Sequence, residues 1–578
     1  MKKITLLFVL LHLNAFAQSY ITNVTVVDVE RQRLIPNQTV TIVGDLISDI
    51  KPANTKIPSN AVVIDAKGKF LLPGLTDAHI HFFQSGGLYT RPDAIDLRKI
   101  KPYEKEIEKV HNRMENVLKR YLRNGITTVV DVGATYNFLK QRQNFATTEL
   151  APSIYMTGPL LTTYQPEAFA GLKDDAPFQL VATPEEARKM VREQLTHQPD
   201  LIKIWYIVNV DNLDTEAGAR KYLPVVKAII DEAHQNKKKV AVHATERITA
   251  QLAVENGCDF LVHSIEDELL TDDFIKLLKK KNVVLCPTLV VYDGYEDTFG
   301  QKLNLSDHEL RMADPFQLGS LLDLKHLADT LLVNAYRKYT IADKQVAKVL
   351  QTNNICIQNL KKLSDAGVTI ATGTDAGNIG TLHASSYLDE LLRMRQAGLS
   401  NWKIIEASTI NGAKALGKEN EFGSIAKGKK ANLILLDANP VENIENLTKI
   451  HRVINKGVFL DPDKLLLETP EELVQRQLNA YNFRNLEAFL DTYADDVEVY
   501  DFPEKLQYKG KETMRKIYGG MFSKVPNLHC EILGRVVTGN FVIDKERVQI
   551  NKEIIEGTAI YQIEDEKIKK VYFMPMAD

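Results

Sequence analysis

A repeated unit of amphipathic helix, glycine and apolar strand is the sequence feature that most constrains this fold. The glycine is Gly125, Gly257 or Gly367, and an apolar run follows each one. A glycine in this place adopts the left-handed conformation that ends a helix. Strand-like runs occur at 71–81, 126–132, 154–157, 201–207, 240–243, 260–263, 283–289 and 368–374. Eight strands alternating with helices predict an α/β fold, a (β/α)8 TIM barrel with insertions. An open doubly wound sheet is the alternative, but the chain carries no glycine-rich phosphate loop to support it.

Two further domains are predicted beside the barrel domain of residues 73–421. Strand-like runs rich in Val and Ile precede it at 21–29, 39–50 and 61–72, and others follow it at 431–437 and 451–460. They predict a composite β-sandwich formed by residues 18–72 with 422–466. From about Thr469 the pattern changes to an amphipathic helix that begins at Pro470, a second helical stretch and several strand-like runs. Residues 467–578 are therefore predicted to form a separate α+β domain.

One insertion stands out between the seventh and the eighth predicted barrel strands. Residues from about 290 to 350 are polar and helix-prone. At the C-terminal face of a barrel, such a segment is expected to lie over the site as a lid or a wall.

Charge and the N-terminus bear on partners and location. The 72 Lys and Arg against 75 Asp and Glu give a net charge of −3, so no positive field favours nucleic acid. Lys2-Lys3 precede a short apolar run at 4–13 and then Ala15-Phe16-Ala17. This pattern is typical of a signal peptide over residues 1–17, and the run is too short for a membrane span. We expect cleavage near Ala17 and export to the periplasm or the medium.

The strongest chemical signal is Asp77-Ala78-His79-Ile80-His81, at the end of the first predicted barrel strand. Side chains two apart on a strand share a face, so His79 and His81 can bind one ion. Further nitrogen and oxygen donors stand at or in later strands: Lys203, His243, His263 and Asp375. Catalytic groups of barrels come from the C-terminal ends of several strands, and a lysine in an apolar strand is costly unless paired or neutralised. Together these positions predict a metal centre.

Three motifs make the chain resemble the amidohydrolase superfamily, in its imidazolonepropionase-like and prolidase-like branch. They are Pro73-Gly74-Leu75-Thr76-Asp77-Ala78-His79-Ile80-His81, Gly373-Thr374-Asp375-Ala376-Gly377 and Ala407-Ser408-Thr409-Ile410-Asn411-Gly412-Ala413. The resemblance covers roughly residues 20 to 460.

The resemblance implies a role for each candidate residue. His79 and His81 would bind the more buried of two divalent metals, with zinc best suited to the donor set. Lys203, carboxylated by carbon dioxide, would bridge the two ions, and His243 and His263 would bind the second. Asp375 would ligate the first ion and accept a proton from a metal-bridging hydroxide or water. The implied activity is hydrolysis of a C–N bond in an amide, a dipeptide or a cyclic amide, so the partner is a small-molecule or short-peptide substrate.

Other interpretations stay open at this point. Tyr206 and His383 are candidate substrate contacts, although a packing or surface role suits either residue. Glu246 stands three residues after His243, a spacing used by mononuclear deaminases. Lys203 argues against that alternative, because one metal needs no bridging lysine. A ligand-binding protein on a retained barrel is a third possibility.

The C-terminal domain resembles SnoaL-like, nuclear transport factor 2-like domains. The matching segments are Ala480-Tyr481-Asn482, Ala494-Asp495-Asp496-Val497, Gly510-Lys511-Glu512 and Tyr572-Phe573. The resemblance implies a curved sheet with helices around a cone-shaped pocket. Asp496, Glu498 and Asp501 are candidate pocket acids, but their alternation also suits an exposed strand. We expect this domain to bind a ligand or to form a homo-oligomer.

Overall fold

The computed structural model describes residues 18–59, 61–208 and 213–575, so the predicted signal peptide lies outside the described residues. No described helix is long and apolar enough to cross a membrane. The described residues form three structural parts. They are a composite sheet, an α/β part that holds the predicted site, and a C-terminal α+β domain.

Strands from both flanks of the α/β part form one eight-stranded sheet. Its order is Val458–Leu460, Ile450–Asn455, Leu433–Leu436, Phe70–Pro73, Gln18–Asp28, Arg33–Val43 and Leu46–Pro52, with Val62–Asp65 pairing with Gln18–Asp28. Leu433 pairs antiparallel with Pro73, which joins the two flanks. The predicted runs at 39–50 and 61–72 are each two strands, because Gly44 (φ 59°) and Gly68 (φ 79°) turn the chain within them.

The α/β part has a TIM-barrel-like architecture in which each of the eight predicted runs contains a strand. One parallel sheet is Leu75–Ile80, Ile126–Asp131 and Ser153–Met156. The other is Phe178–Leu180, Leu160–Thr162, Ile202–Trp205, Val240–His243, Phe260–Val262, Val284–Cys286 and Thr369–Ile370. Two of these strands, Leu160–Thr162 and Phe178–Leu180, are not predicted from the sequence. The backbone N–H of Ala78 donates to the carbonyl of Thr372 over 2.9 Å, so the first and last strands adjoin.

Helices surround these strands and connect them. They are Tyr103–Asn112, Met114–Arg123, Tyr136–Gln141, Pro184–Thr196, Thr215–Gln235, Arg247–Glu255, Asp272–Lys281, Asp343–Asp365, Tyr387–Gln396, Asn401–Ala407 and Ile410–Leu416. Gly125, Gly257 and Gly367 have φ angles of 75°, 108° and 75°, as the repeated unit predicts. Each of them lets a helix end and a buried strand begin within a few residues.

The insertion is helical, as predicted, and it contacts the C-terminal domain. Its helices are Val290–Phe299, Asp307–Met312, Pro315–Asp323 and Thr330–Thr340. The Asn479 side-chain amide donates to the carbonyl of Pro315 over 2.6 Å. The rings of His326 and His529 stack with centroids 3.4 Å apart.

The C-terminal domain packs three helices on one face of a six-stranded sheet. The helices are Pro470–Phe483, Leu486–Asp491 and Lys511–Lys524. The sheet order is Lys505–Lys509, Tyr493–Asp501, Lys567–Pro575, Glu553–Glu564, Phe541–Ile550 and His529–Thr538. The strands His529–Thr538 and Phe541–Ile550 form a hairpin that turns at Gly539 (φ 56°). Alternate residues such as Val542, Ala559 and Val571 face the helices in one buried apolar cluster.

Glu472 joins this domain to the α/β part. It is buried, and its carboxylate accepts from Arg113 over 2.9 Å, from Asn116 over 3.0 Å and from the backbone of Thr469 over 3.1 Å. One side chain therefore caps the helix Pro470–Phe483 and pairs with a guanidinium on the neighbouring part.

Replacing Glu472 with Ala is expected to lower the free energy of unfolding by about 3 kcal/mol, because a buried cation loses a partner and a helix loses its cap. Urea unfolding measures the change. Glu471→Ala, beside it on the same helix, is the control and should change the stability by less than about 0.5 kcal/mol. Equal effects of the two substitutions would contradict this role of Glu472.

Candidate metal centre

Three of the predicted ligands converge on one point. His79 and His81 lie at the end of the strand Leu75–Ile80, and Asp375 follows the last barrel strand. The two Nε2 atoms are 3.2 Å apart, and Asp375 Oδ1 is 3.2 Å from Nε2 of His79 and 3.1 Å from Nε2 of His81. Asp375 reaches this place through a left-handed backbone conformation with φ 57°, which an L-residue rarely adopts.

These separations fit the ligands of a metal ion. Ligand atoms about 2.1 Å from one ion lie roughly 3.0–3.4 Å apart at octahedral to tetrahedral angles. Asp375 Oδ1 is buried and has no hydrogen bond of good geometry among the described residues. The donor set of two imidazoles and a carboxylate also suits a divalent ion such as zinc.

The protonation states of this cluster follow from burial and mutual charge. Burial lowers the pKa of His79 to about 4. Burial alone would raise the pKa of Asp375, but the charges of His79 and His81 hold it well below its usual value. A neutral imidazole and an ionised carboxylate are the forms that bind a metal.

Two further carboxyl groups lie next to the cluster. Asp77 is fully buried and accepts from the backbone N–H of Thr374 over 3.0 Å and from its hydroxyl over 2.7 Å. Asp131 ends the second barrel strand, 3.7 Å from Nδ1 of His81. The backbone N–H groups of Phe82 and Gly133 hold Asp131 in place. Asp77 thereby fixes the turn that carries Asp375, whereas Asp131 lies close to the ring of His81 without a hydrogen bond to it.

The other three predicted ligands lie around the same cavity, although the tight cluster does not include them. His243 and His263 end neighbouring parallel strands, and their ring centroids are 4.3 Å apart. Nδ1 of His263 lies 2.8 Å from the hydroxyl of Thr288, which fixes its ring. Lys203 is only 1% exposed, and the described residues give its amine no hydrogen bond or ion pair within range. Burial lowers the pKa of Lys203 to about 7.

A cavity of about 410 Å³ opens above these residues. It is lined by His81, Lys203, His243, His263 and Asp375, by the aromatic residues Phe83, Phe178, Trp205, Tyr292 and Tyr295, and by Gln84, Arg91, Asp93, Ala94, Leu160, Thr245, Glu266, Val291 and Asn378. Val291, Tyr292 and Tyr295 belong to the first helix of the insertion. The prediction that the insertion forms a wall of the site is thus confirmed for this helix.

The structure places both candidate substrate contacts away from this cavity lining. The hydroxyl of Tyr206 donates to the carbonyl of Ala219 in the core. His383 is buried, with Nδ1 2.8 Å from the hydroxyl of Tyr121 and Nε2 2.9 Å from the carbonyl of Gln84. Each side chain has its polar atoms satisfied by the protein, so a structural role accounts for both.

Glu246 does not line the cavity either. It precedes the helix Arg247–Glu255 and accepts from the hydroxyl of Thr249 over 3.0 Å. A glutamate that does line the cavity is Glu266, three residues after His263, which sequence reasoning did not identify.

The candidate acids of the C-terminal domain pair with lysines at the surface of the sheet, Asp496 being exposed and Glu498 and Asp501 half-buried. Asp496 pairs with Lys569, Glu498 with Lys509 over 2.7 Å, and Asp501 with Lys505 over 3.2 Å. The exposed-strand interpretation accounts for all three. Two buried acids of its sheet are Asp544, which forms a bidentate pair with Arg535, and Glu546, which accepts from Tyr561.

The chain is similar to known hydrolases along most of its length. Residues 70–460 match the amidohydrolase family and residues 474–571 the SnoaL-like domain. Ochratoxinase of Aspergillus niger is 24% identical over 405 residues, which cover 65% of this chain and 72% of that protein. Imidazolonepropionase of Alkaliphilus metalliredigens (strain QYMF) is 23% identical over 457 residues, which cover 74% and 92%.

Solved structures show the same fold. A Xaa-Pro dipeptidase with bound methionine superimposes with a TM-score of 0.57 at 22% identity, over 77% of this chain and 100% of that one. A. niger ochratoxinase superimposes with a TM-score of 0.59 at 18% identity, over 78% and 97%.

A TIM-barrel-like fold with imidazole and carboxylate donors converging at its strand ends defines the class of metal-dependent hydrolases. Within that class the chain belongs to the amidohydrolase family, with a SnoaL-like domain at its C-terminal end, and it is a hydrolase that acts on carbon–nitrogen bonds.

Proposed function

We propose that this protein hydrolyses an amide-type C–N bond of a small molecule or short peptide at a centre of two divalent metal ions, with zinc as the best-suited metal. The observation that carries the proposal is the convergence of His79, His81 and Asp375 at 3.1–3.2 Å, on the same cavity as Lys203, His243 and His263.

Each residue has a role in holding the ions. His79, His81 and Asp375 would hold the first, and His243 and His263 would hold the second. Lys203, carboxylated by carbon dioxide, would supply oxygen ligands to both. Carboxylation replaces a buried cation that lacks a partner with a pair of oxygen ligands. When bound, two such ions lower the pKa of a shared water and polarise the substrate carbonyl.

Asp375 carries the proton in this proposal. Its second oxygen lies 4.0 Å from Nδ1 of His263, so the carboxylate is placed between the two groups of ligands. It accepts the proton of the attacking water and delivers it to the leaving amine. The aromatic residues of the cavity exclude bulk water and give the substrate an apolar surface.

The names of three relatives indicate three chemically different kinds of substrate. Ochratoxinase, imidazolonepropionase and the Xaa-Pro dipeptidase share the fold at identities of 24% or less. The cavity of this chain is large enough for an amide with an aromatic group, so amides, dipeptides and cyclic amides all belong in the first screen.

A mononuclear deaminase is the alternative function. A segment of 104 residues is 33% identical to the 5-methylthioadenosine/S-adenosylhomocysteine deaminase of Teredinibacter turnerae, but it covers only 17% of this chain. Glu246, the proton carrier of that alternative, bonds to Thr249 instead of lining the cavity. These observations favour hydrolysis by the two-metal centre.

Elemental analysis of the purified protein tests the centre. We expect about two metal equivalents per chain in the wild type and about one in Lys203→Ala. Hydrolysis of a panel of N-acyl amino acids, dipeptides and cyclic amides should fall by at least ~100-fold in this variant, because a ligand to both ions is lost.

Lys280→Ala is the matched control, because Lys280 is an exposed lysine near the end of the helix Asp272–Lys281. It should keep both metals and full activity. One equivalent in the wild type, together with turnover of aminated purines or pyrimidines, would favour the deaminase. No metal in the wild type and none taken up from added zinc would favour a ligand-binding protein.

We also propose that the C-terminal domain forms a homodimer through the sheet face opposite its helices. A continuous apolar row crosses all six strands on this face. It consists of Val536, Ile543, Ile560, Tyr572, Tyr500 and Leu506, each paired in register with the next. At the two ends of the row, Val536 is 60% exposed and Leu506 is 51% exposed. An exposed apolar row of this length is typical of a surface that contacts another protein.

The size and charge of this face suit a second copy of the chain. Five strand spacings by a strand of ten residues give roughly 24 Å by 33 Å, about 800 Å² per partner. Several charges beside the row are paired within the sheet, since Arg547 pairs with Glu531 and Glu556, and Glu498 pairs with Lys509. These pairs reduce the repulsion between two copies related by a two-fold axis, while Lys545, two residues from Ile543 on the same face, is exposed.

Ile560→Glu, at the centre of the row, is expected to convert a dimer into a monomer, because it buries an unpaired charge at the interface. Sedimentation velocity measures the mass. Ile517→Glu is the control, since Ile517 is an exposed apolar residue on the helix Lys511–Lys524, away from the row. A monomeric wild type at micromolar concentration, or a dimeric Ile560→Glu, would contradict the proposal.

Export is the last proposal. Residues 1–17 have the charged, apolar and small-residue regions of a signal peptide. Cleavage after Ala17 would leave Gln18 first, which is where the described part of the first strand of the composite sheet starts. N-terminal sequencing of the protein from the periplasm or the medium should begin at Gln18, and a sequence that begins at Met1 would overturn export by cleavage.

A further inference from the structure

Glu266 is the charged residue of the cavity that the proposed reaction leaves without a role. The other charges that line the cavity have partners or a place in the metal centre. Asp375 is held by His79 and His81, and Lys203 belongs to the proposed bridge. Among the described residues, no hydrogen bond or ion pair to the Glu266 carboxyl group lies within range.

Arg91 is not the partner of Glu266, because its guanidinium is already engaged. Nε and Nη2 donate to the two oxygens of Asp93 over 2.8 and 2.7 Å. Nη1 donates to Asn378, which also accepts from the hydroxyl of Tyr295 over 2.8 Å. This network neutralises Arg91, so the cavity keeps a surplus acceptor at Glu266.

The backbone fixes Glu266 at the edge of the metal centre. It stands three residues after His263, and its N–H donates to the carbonyl of Thr245 over 2.8 Å. The side chain is half-buried and lines both the main cavity and a smaller neighbouring cavity of about 40 Å³, with Tyr292 in both linings. Its carboxyl group is therefore shielded from bulk water and yet reachable from the site.

A partly desolvated carboxyl group without a donor is costly, and that cost disappears when a ligand supplies an N–H. The pKa of Glu266 agrees with this environment, because burial and the neighbouring Glu246 raise it to about 7. A cation bound next to the carboxylate would lower this pKa again, because it stabilises the ionised form.

We infer that Glu266 is a substrate-binding residue that receives a primary amine, and hence that the substrate is an amide carrying a free amino group beside an apolar or aromatic body. This inference rests on the proposed function, which makes the substrate an amide that is cleaved at the metal centre. Tyr292, whose ring lines the same part of the cavity, offers the aromatic face that a bound ammonium prefers.

Titration calorimetry on the zinc-loaded protein tests this with two matched ligands, phenylalaninamide and N-acetylphenylalaninamide. The wild type should bind the free amine more tightly than the acetylated compound. Glu266→Gln keeps the size of the side chain and should weaken binding of the free amine by about tenfold or more, the usual effect of losing a charge-assisted hydrogen bond. Binding of the acetylated ligand should change by less than about twofold.

Glu268→Gln is the control, since it removes the same charge from an exposed residue that pairs with Arg247. Equal losses for both ligands in Glu266→Gln, or no preference of the wild type for the amine, would overturn the inference. Failure of the wild type to bind either ligand at millimolar concentration would also overturn the inference. Failure of the proposed function has a different signature, in which the protein lacks metal or cleaves no amide while the preference for the amine can still be present.

Discussion

The buried carboxyl group of Asp77 is the interaction on which the geometry of the site depends. It accepts from both the backbone and the hydroxyl of Thr374, and thereby ties the strand that ends in His79 to the turn that presents Asp375. The N–H of Asp375 returns a bond of 2.7 Å to the carbonyl of His79. Because a buried carboxyl group without partners would be costly, these bonds hold the turn in the one position that brings the two imidazoles and the carboxylate within 3.2 Å of one another.

The main features of the fold and the tight cluster were within reach of the sequence, for identifiable reasons. A glycine between an amphipathic helix and an apolar run is a local signal, and the φ angles of Gly125, Gly257 and Gly367 confirm it. His79 and His81 share a face because of the period of a strand. Strand boundaries were less accurate, because an apolar run does not show where Gly44 or Gly68 turns the chain.

The remaining site residues depend on contacts between distant segments, which one sequence does not reveal. Tyr206 and His383 have the chemistry of substrate contacts, but Ala219 and Tyr121 satisfy them in the core. Glu266 is a candidate substrate-binding residue because it lines the cavity and has no partner among the described residues, and neither property can be derived from the sequence. Asp131 is an exception, since a carboxylate at the end of an apolar strand is the same signal that identified Asp375.

The composite sheet also determines the order in which the chain can fold during synthesis. Pro73 pairs with Leu433, 360 positions later, so the strand Phe70–Pro73, which pairs on its other side with Gln18–Asp28, gains its second neighbour only after most of the chain has left the ribosome. Contacts this distant in sequence form slowly and leave apolar strands unpaired in the meantime. The six strands of the C-terminal domain lie within residues 493–575 and need no such wait. The composite sheet is therefore completed late in synthesis, and until then one edge of the strand Phe70–Pro73 is open to wrong partners, from which a chaperone can shield it.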